Sequence, residues 1–111
     1  MKSSTNETVL KEIVSRLVKG SPVERIYLFG SQASGQAGPG SDIDLLAVVP
    51  GSDLPRRRRE ADFYDLLWGL TTPVDVIVLT QAEFQRSAQV KTSLAATARD
   101  KGILIYGRPQ A

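Results

Sequence analysis

Apolar side chains recur at Leu10, Ile13, Val14 and Leu17, the i, i+3, i+4, i+7 spacing of a helix with one buried face. Lys11, Glu12 and Arg16 fall on its other faces, so the pattern predicts an amphipathic helix over residues 3–19. Ser4 and Glu7 offer it a capping box, and Gly20 with Pro22 marks its stop. A second stripe, Phe63, Leu66, Leu67 and Leu70, predicts another helix, from the turn at residues 50–55 to about Leu70. Elsewhere the period shortens. Apolar runs over residues 25–29, 42–49, 74–79 and 103–106 predict four strands, the first of them buried and central. Thr80 and Glu83 form a second capping box, which opens helical sequence to Lys101 with a break near Lys91 and Thr92. Gly102 ends it. The expected fold class is α/β (α+β): a small mixed sheet of about four strands packed against helices.

The chemistry gathers where the first strand meets the second. Leu28-Phe29 leads into a Gly30-Ser31 turn, and a ten-residue loop later the second strand opens on Asp42-Ile43-Asp44. Strand side chains alternate, so Asp42 and Asp44 share one face while Ile43 and Leu45 point the other way. Two neighbouring carboxylates repel unless a cation lies between them, and hard oxygen ligands of this kind suit Mg²⁺. Gly30 lets the backbone approach a ligand, and Ser31 offers a hydroxyl and an amide to a phosphate. The free amides of residues 32–35, Gln32 among them, could face the same phosphate. A phosphate holder followed by a metal-binding pair is the core of a phosphoryl- or nucleotidyl-transfer site. Asp75 is a third acid, flanked by Val74 and Val76 on an otherwise apolar strand, and such a placement needs a reason. If its strand lies beside the second one, all three carboxylates meet on one rim.

Composition narrows the chemistry further. The 111 residues predict one domain, residues 1–111, with a single modest core. The chain has neither cysteine nor histidine, which excludes disulfides, thiolate or imidazole zinc sites and Ser-His-Asp catalysis. Any metal chemistry therefore falls to carboxylates. No apolar run approaches the ~18 residues of a membrane span, and the Met-Lys-Ser-Ser start lacks a signal-peptide core. A cytoplasmic protein with no membrane association is expected. A net charge of +2 is too small to indicate nucleic acid by itself.

Gly30-Ser31, the ten-residue spacer and Asp42-x-Asp44 together resemble the signature of the nucleotidyltransferase superfamily that includes DNA polymerase beta. The run Ile26-Tyr27-Leu28-Phe29-Gly30-Ser31 and the small size are similar to the minimal nucleotidyltransferases, or MNT domains, and the resemblance spans roughly Val9 to Tyr106. It implies a nucleotidyltransferase fold and transfer of AMP from ATP to a hydroxyl. It also implies two Mg²⁺ ions held by Asp42, Asp44 and Asp75, and phosphates cradled by Gly30, Ser31 and Gln32. Many minimal nucleotidyltransferases carry arginines where this chain has Gln32 and Ser34, a departure that implies weaker nucleotide affinity or a phosphate clamp supplied elsewhere. Stand-alone members resemble the antitoxins of toxin–antitoxin pairs, whose partners are HEPN-domain ribonuclease toxins neutralised by adenylylation of a tyrosine.

With no acceptor-binding domain evident, the expected acceptor is that partner protein. Arg56, Arg57, Arg58 and Arg59 open the second long helix against its macrodipole, and with Tyr64 and Trp68 they form a candidate docking face. The solvated end of a helix is the plainer reading of the same run. Two alternatives carry the same signature: a catalytically inert module that neutralises its partner by contact, and an aminoglycoside-type enzyme with a small-molecule acceptor. RNA binding through the arginines is the weakest option.

Overall fold

The computed structural model describes residues 2–30 and 42–108, with side chains from Glu7 onward. The helical turn expected over residues 32–35 lies outside them. Helix α1 (Lys2–Gly20) leads to strand β1 (Arg25–Phe29), and β2 (Ile43–Val49) returns antiparallel beside it. Helix α2 (Arg56–Leu66) carries the chain over to β3 (Val74–Thr80), which runs parallel to β2. Helices α3 (Gln81–Ala88) and α4 (Leu94–Lys101) follow, and β4 (Ile103–Tyr106) closes the sheet antiparallel to β1. The sheet order is β3-β2-β1-β4, so β1, expected to be buried and central, lies in its middle beside β2.

Alternation along the strands divides the core into two layers. Ile26, Leu28, Ile43, Leu45, Val76 and Val78 face α1 and α2, where Ile13, Leu17, Phe63 and Leu67 close over them. Tyr27, Leu46 and Val48 face α3 and α4 and meet Phe84, Ala88, Ala95 and Ala98. Phe84 is fully buried and stacks on Tyr27 with ring centroids 5.6 Å apart. Burying a side chain of this size contributes about 1.5–3 kcal/mol each, enough to hold a short helix such as α3 that could not persist alone.

The boundaries depart from expectation where a local signal was outweighed. Helix α1 begins at Lys2, so Ser4 lies inside it and the expected Ser4–Glu7 box does not mark its start. Helix α2 stops at Leu66 because the next amides turn back by three residues: Leu67 N–H bonds to Tyr64 O at 3.1 Å and Trp68 N–H to Asp65 O at 3.3 Å. Gly69 follows with φ +92°, a conformation that closes the helix for good. Leu66 and Leu70 still pack against the core. The Thr80–Glu83 capping box forms in both directions, and the break near Lys91 separates α3 from α4, which takes Ser93 as its own cap.

The outer edge of β3 is covered rather than left open. Val76 N–H donates to Tyr64 Oη at 2.9 Å, Val78 N–H to a Glu60 carboxylate oxygen at 3.1 Å and Thr80 N–H to Glu83 at 2.9 Å. The Val78 carbonyl accepts from Arg59 Nη2 at 3.1 Å. Glu60 and Tyr64 are one helical turn apart, so α2 lays a polar stripe along the edge and satisfies groups that would otherwise recruit another strand.

Candidate functional site

Register across the sheet brings the expected residues together. Phe29, the last residue of β1, pairs with Asp44, and Asp44 pairs with Asp75 on the other side. Because β1 is antiparallel to β2 while β3 is parallel, the end of β1 and the beginnings of β2 and β3 form a single rim. Asp44 and Asp75 project to the α3–α4 face, on the same side as Leu46 and Ile77 but beyond the helices that cover those residues. Asp42 stands one residue ahead of β2, exposed, rather than within the strand as expected. Asp75 is exposed and Asp44 half-buried.

The charges act on one another. Burial raises the pKa of Asp44 above the ordinary carboxylate value, and the negative charges of Asp75 and then Asp42 raise it further. Directly opposed like charges on adjacent strands are destabilising, and here no basic side chain among the described residues pairs with any of the three. Gly30 faces the same carboxylate. Its φ is +75°, and a β carbon placed there would lie 2.5 Å from Asp44 Oδ2. The turn and the acid pair, separate in sequence, are thus two walls of one small space.

The sequence profile of the nucleotidyltransferase domain matches residues 8–105. The chain belongs to this family. Among solved structures, a candidate nucleotidyltransferase of Sulfolobus solfataricus is 24% identical, covers 96% of this chain and 80% of its own, and superposes with a TM-score of 0.58. A mutant of the toxin–antitoxin MntA–HpeT, with two aspartates two positions apart changed to glutamate, is 22% identical. It covers 92% of this chain and 73% of its own, with a TM-score of 0.54. These likenesses show the fold. A search of the curated proteins finds no match.

The nucleotidyltransferase domain offers a donor set of carboxylate oxygens alone, the chemistry that Mg²⁺ prefers. Among the described residues, however, no three acidic side chains close into a ready-made cage. The fit rests instead on the pairing of Asp44 with Asp75 across adjacent strands and on the room that glycine leaves at position 30. Ser31 and Gln32 lie outside the described residues.

The residues expected to dock a partner do not form one face. Arg59 is 6% exposed. Its guanidinium donates to the Val78 and Leu54 carbonyls and pairs with Glu83 at 2.6 Å, so it ties α2 to β3 and the head of α3. It is removed from the docking set: a side chain with its charge satisfied inside the fold has nothing left for a partner. Arg56 pairs with Glu60 at 3.2 Å. Arg57 and Arg58 are exposed, Tyr64 spends its hydroxyl on Val76, and Trp68 is 86% exposed. Helical spacing carried the signal for Arg59, which lies four residues before Phe63 on the same face. The edge-capping roles of Glu60 and Tyr64 had no such signal, because they depend on which strand lies beneath. No helix among the described residues is long and apolar enough to cross a membrane.

Proposed function

We propose that this nucleotidyltransferase domain moves AMP from ATP to a hydroxyl of a partner protein, a tyrosine of a HEPN-type ribonuclease toxin, and acts in the cytoplasm as its antitoxin. The observation that carries the reading is the convergence of Gly30, Asp44 and Asp75 on one rim, with Asp42 beside them. Asp42, Asp44 and Asp75 are the residues that would hold Mg²⁺, which supplies Lewis acidity and charge neutralisation when bound. Gly30 opens the backbone to the triphosphate. Asp75, the more exposed partner of the Asp44–Asp75 pair, accepts the proton of the attacking hydroxyl. The acceptor oxygen bonds to the α-phosphorus, the bond from that phosphorus to the β-side bridging oxygen breaks, and pyrophosphate leaves.

The fold shared with a toxin–antitoxin complex supports a protein acceptor. In that complex the aspartates chosen for mutation have the spacing of Asp42 and Asp44, which supports the role given to this pair. The deciding experiment incubates the protein, Mg²⁺ and a HEPN-type toxin as the proposed partner with ATP labelled at the α- or the γ-phosphate. Label on the toxin from the α position alone, lost in Asp44→Asn and after Tyr→Phe change of the acceptor, is the predicted result. Toxin neutralised with no label from either position would contradict it.

That contradicting result would favour a second reading, inhibition by contact alone. Its support is specific: Gln32 and Ser34 occupy positions where arginines are common in similar domains, while Trp68 stands free on the surface.

A further inference from the structure

Arg25 opens β1 on the same sheet face as Tyr27 and Phe29, and is 6% exposed. Its guanidinium carbon lies 4.9 Å from the centre of the Phe84 ring, and Nη2 donates to Gln81 Oε1 at 2.8 Å. Its Nε is buried and has no hydrogen-bond acceptor. Among the described residues no carboxylate pairs with it, in contrast to Arg59, the other buried arginine, which has Glu83. A buried charge without a counter-charge is costly, and folded proteins normally supply the partner.

The surroundings indicate where that partner enters. Arg25 lines an open hollow of about 510 Å³ with Glu24, Gln81, Tyr106, Gly107 and Arg108. Two guanidinium groups and one carboxylate leave the hollow net positive. Gln81 is the first residue of α3, and its amide and that of Ala82 belong to the unpaired N-terminal turn, since the Thr80 side chain caps only Glu83. Gly107 keeps the wall thin: its φ is +91°, and a β carbon there would collide with the Glu24 carbonyl oxygen and with Arg25. Along β1, Arg25 is four residues from Phe29, or about 13 Å at the rise of a strand. The hollow is therefore at the opposite end of the face from Asp44.

We propose that this hollow is a second anion site, separate from the carboxylate rim, and that it takes a phosphate group between Arg25, Arg108 and the first amides of α3. A phosphate matches the forked donors of two arginines and brings the missing negative charge to Arg25. The site needs no Mg²⁺, because the protein already supplies the positive charge.

The test is titration of the full chain with inorganic phosphate in metal-free buffer at constant ionic strength, followed by amide chemical shifts. A parallel titration with sodium acetate separates phosphate recognition from general attraction of anions. The expected result is saturable movement of the Arg25, Gln81 and Ala82 amides with phosphate and not with acetate. Arg108→Gln, an exposed change that spares the fold, should weaken this binding about tenfold, the loss of one charge-assisted contact. Asp44→Asn should leave it unchanged. Equal response to acetate, full affinity in Arg108→Gln, or shifts confined to Gly30 and its neighbours would each overturn the proposal.

Discussion

Gly30 and Asp44 occupy the same space: the atom that any other residue would add at position 30 falls 2.5 Å from Asp44 Oδ2. The glycine of the turn is there for two reasons, its φ of +75° and the carboxylate in front of it. Gly30→Ala should lower stability by about 1–2 kcal/mol through backbone strain and should also displace Asp44, abolishing Mg²⁺-dependent nucleotide binding. Gly69→Ala supplies the control, because φ there is +92° but no atom lies within 4 Å of the added carbon. It should lose similar stability by denaturant titration and keep full nucleotide binding. Equal binding losses in both would mean that strain, and not contact with Asp44, is what matters.

Asp44 titrates against its neighbours. Its folded pKa is raised by burial and by Asp75 and Asp42, so the folded state holds its proton more tightly than the unfolded chain. Its ionisation costs stability, a cost absent below the ordinary carboxylate pKa and complete above the raised folded value. Asp44→Asn should therefore raise the melting temperature of the metal-free protein at neutral pH by a few degrees at most, since the group is half-exposed. Below the ordinary value the difference should vanish. Calorimetry at pH 3 and pH 7 compares the two.

Glu83 has the opposite sign. Desolvation opposes its ionisation, but the Thr80 amide, the Arg59 charge and the Thr80 and Arg59 side-chain hydrogen bonds together outweigh it and lower its pKa. It contributes stability that is present above the ordinary glutamate value and lost as pH falls through the depressed folded value. Glu83→Gln should flatten that acid limb of the stability curve and leave the Asp44 behaviour intact, which pH-dependent urea unfolding can measure.

The four arginines at the head of α2 should separate sharply. Arg59→Met removes a buried guanidinium and its pair with Glu83, which is one-third exposed and keeps the Thr80 amide, a loss of about 1.5–3 kcal/mol. Arg57→Ala and Arg58→Ala remove exposed charges and should stay within about 0.5 kcal/mol of the wild type. Arg56→Ala gives up only a surface pair with Glu60 and should fall nearer the second group. Thermal unfolding of the four variants gives the order.

Tyr64→Phe isolates the cover on the sheet edge. The Val76 amide loses its acceptor, so its hydrogen exchange should quicken while global stability falls by about 1 kcal/mol. The amide of Val78, held by Glu60, should keep its protection.

What could be read from the chain alone follows from how local each signal is. Strand β1 and the Thr80–Glu83 box are written in consecutive or near-consecutive residues, and both form as expected. The placement of Asp75 beside Asp44 was readable only as a condition, since no local pattern states that β3 lies against β2 and in which register. The basic run misled because charge was taken as exposure. Only the helical turn from Arg59 to Phe63 shows that one of four arginines faces inward. Arg25 was hidden by the opposite effect, a charged residue counted within the apolar run 25–29 with no reading of its own. The Ser4–Glu7 pair had the right composition for a cap, but α1 extends past it.

The central claim is that Asp42, Asp44 and Asp75 hold Mg²⁺ and, with Gly30, the nucleotide. Calorimetric titration of ATP with and without Mg²⁺, into wild type and Asp42→Asn/Asp44→Asn in the presence of the partner protein, tests it most directly. Binding to the wild type that needs Mg²⁺ and disappears in the double variant is the predicted result. ATP binding of equal strength in both proteins, or unchanged by Mg²⁺, would contradict the account.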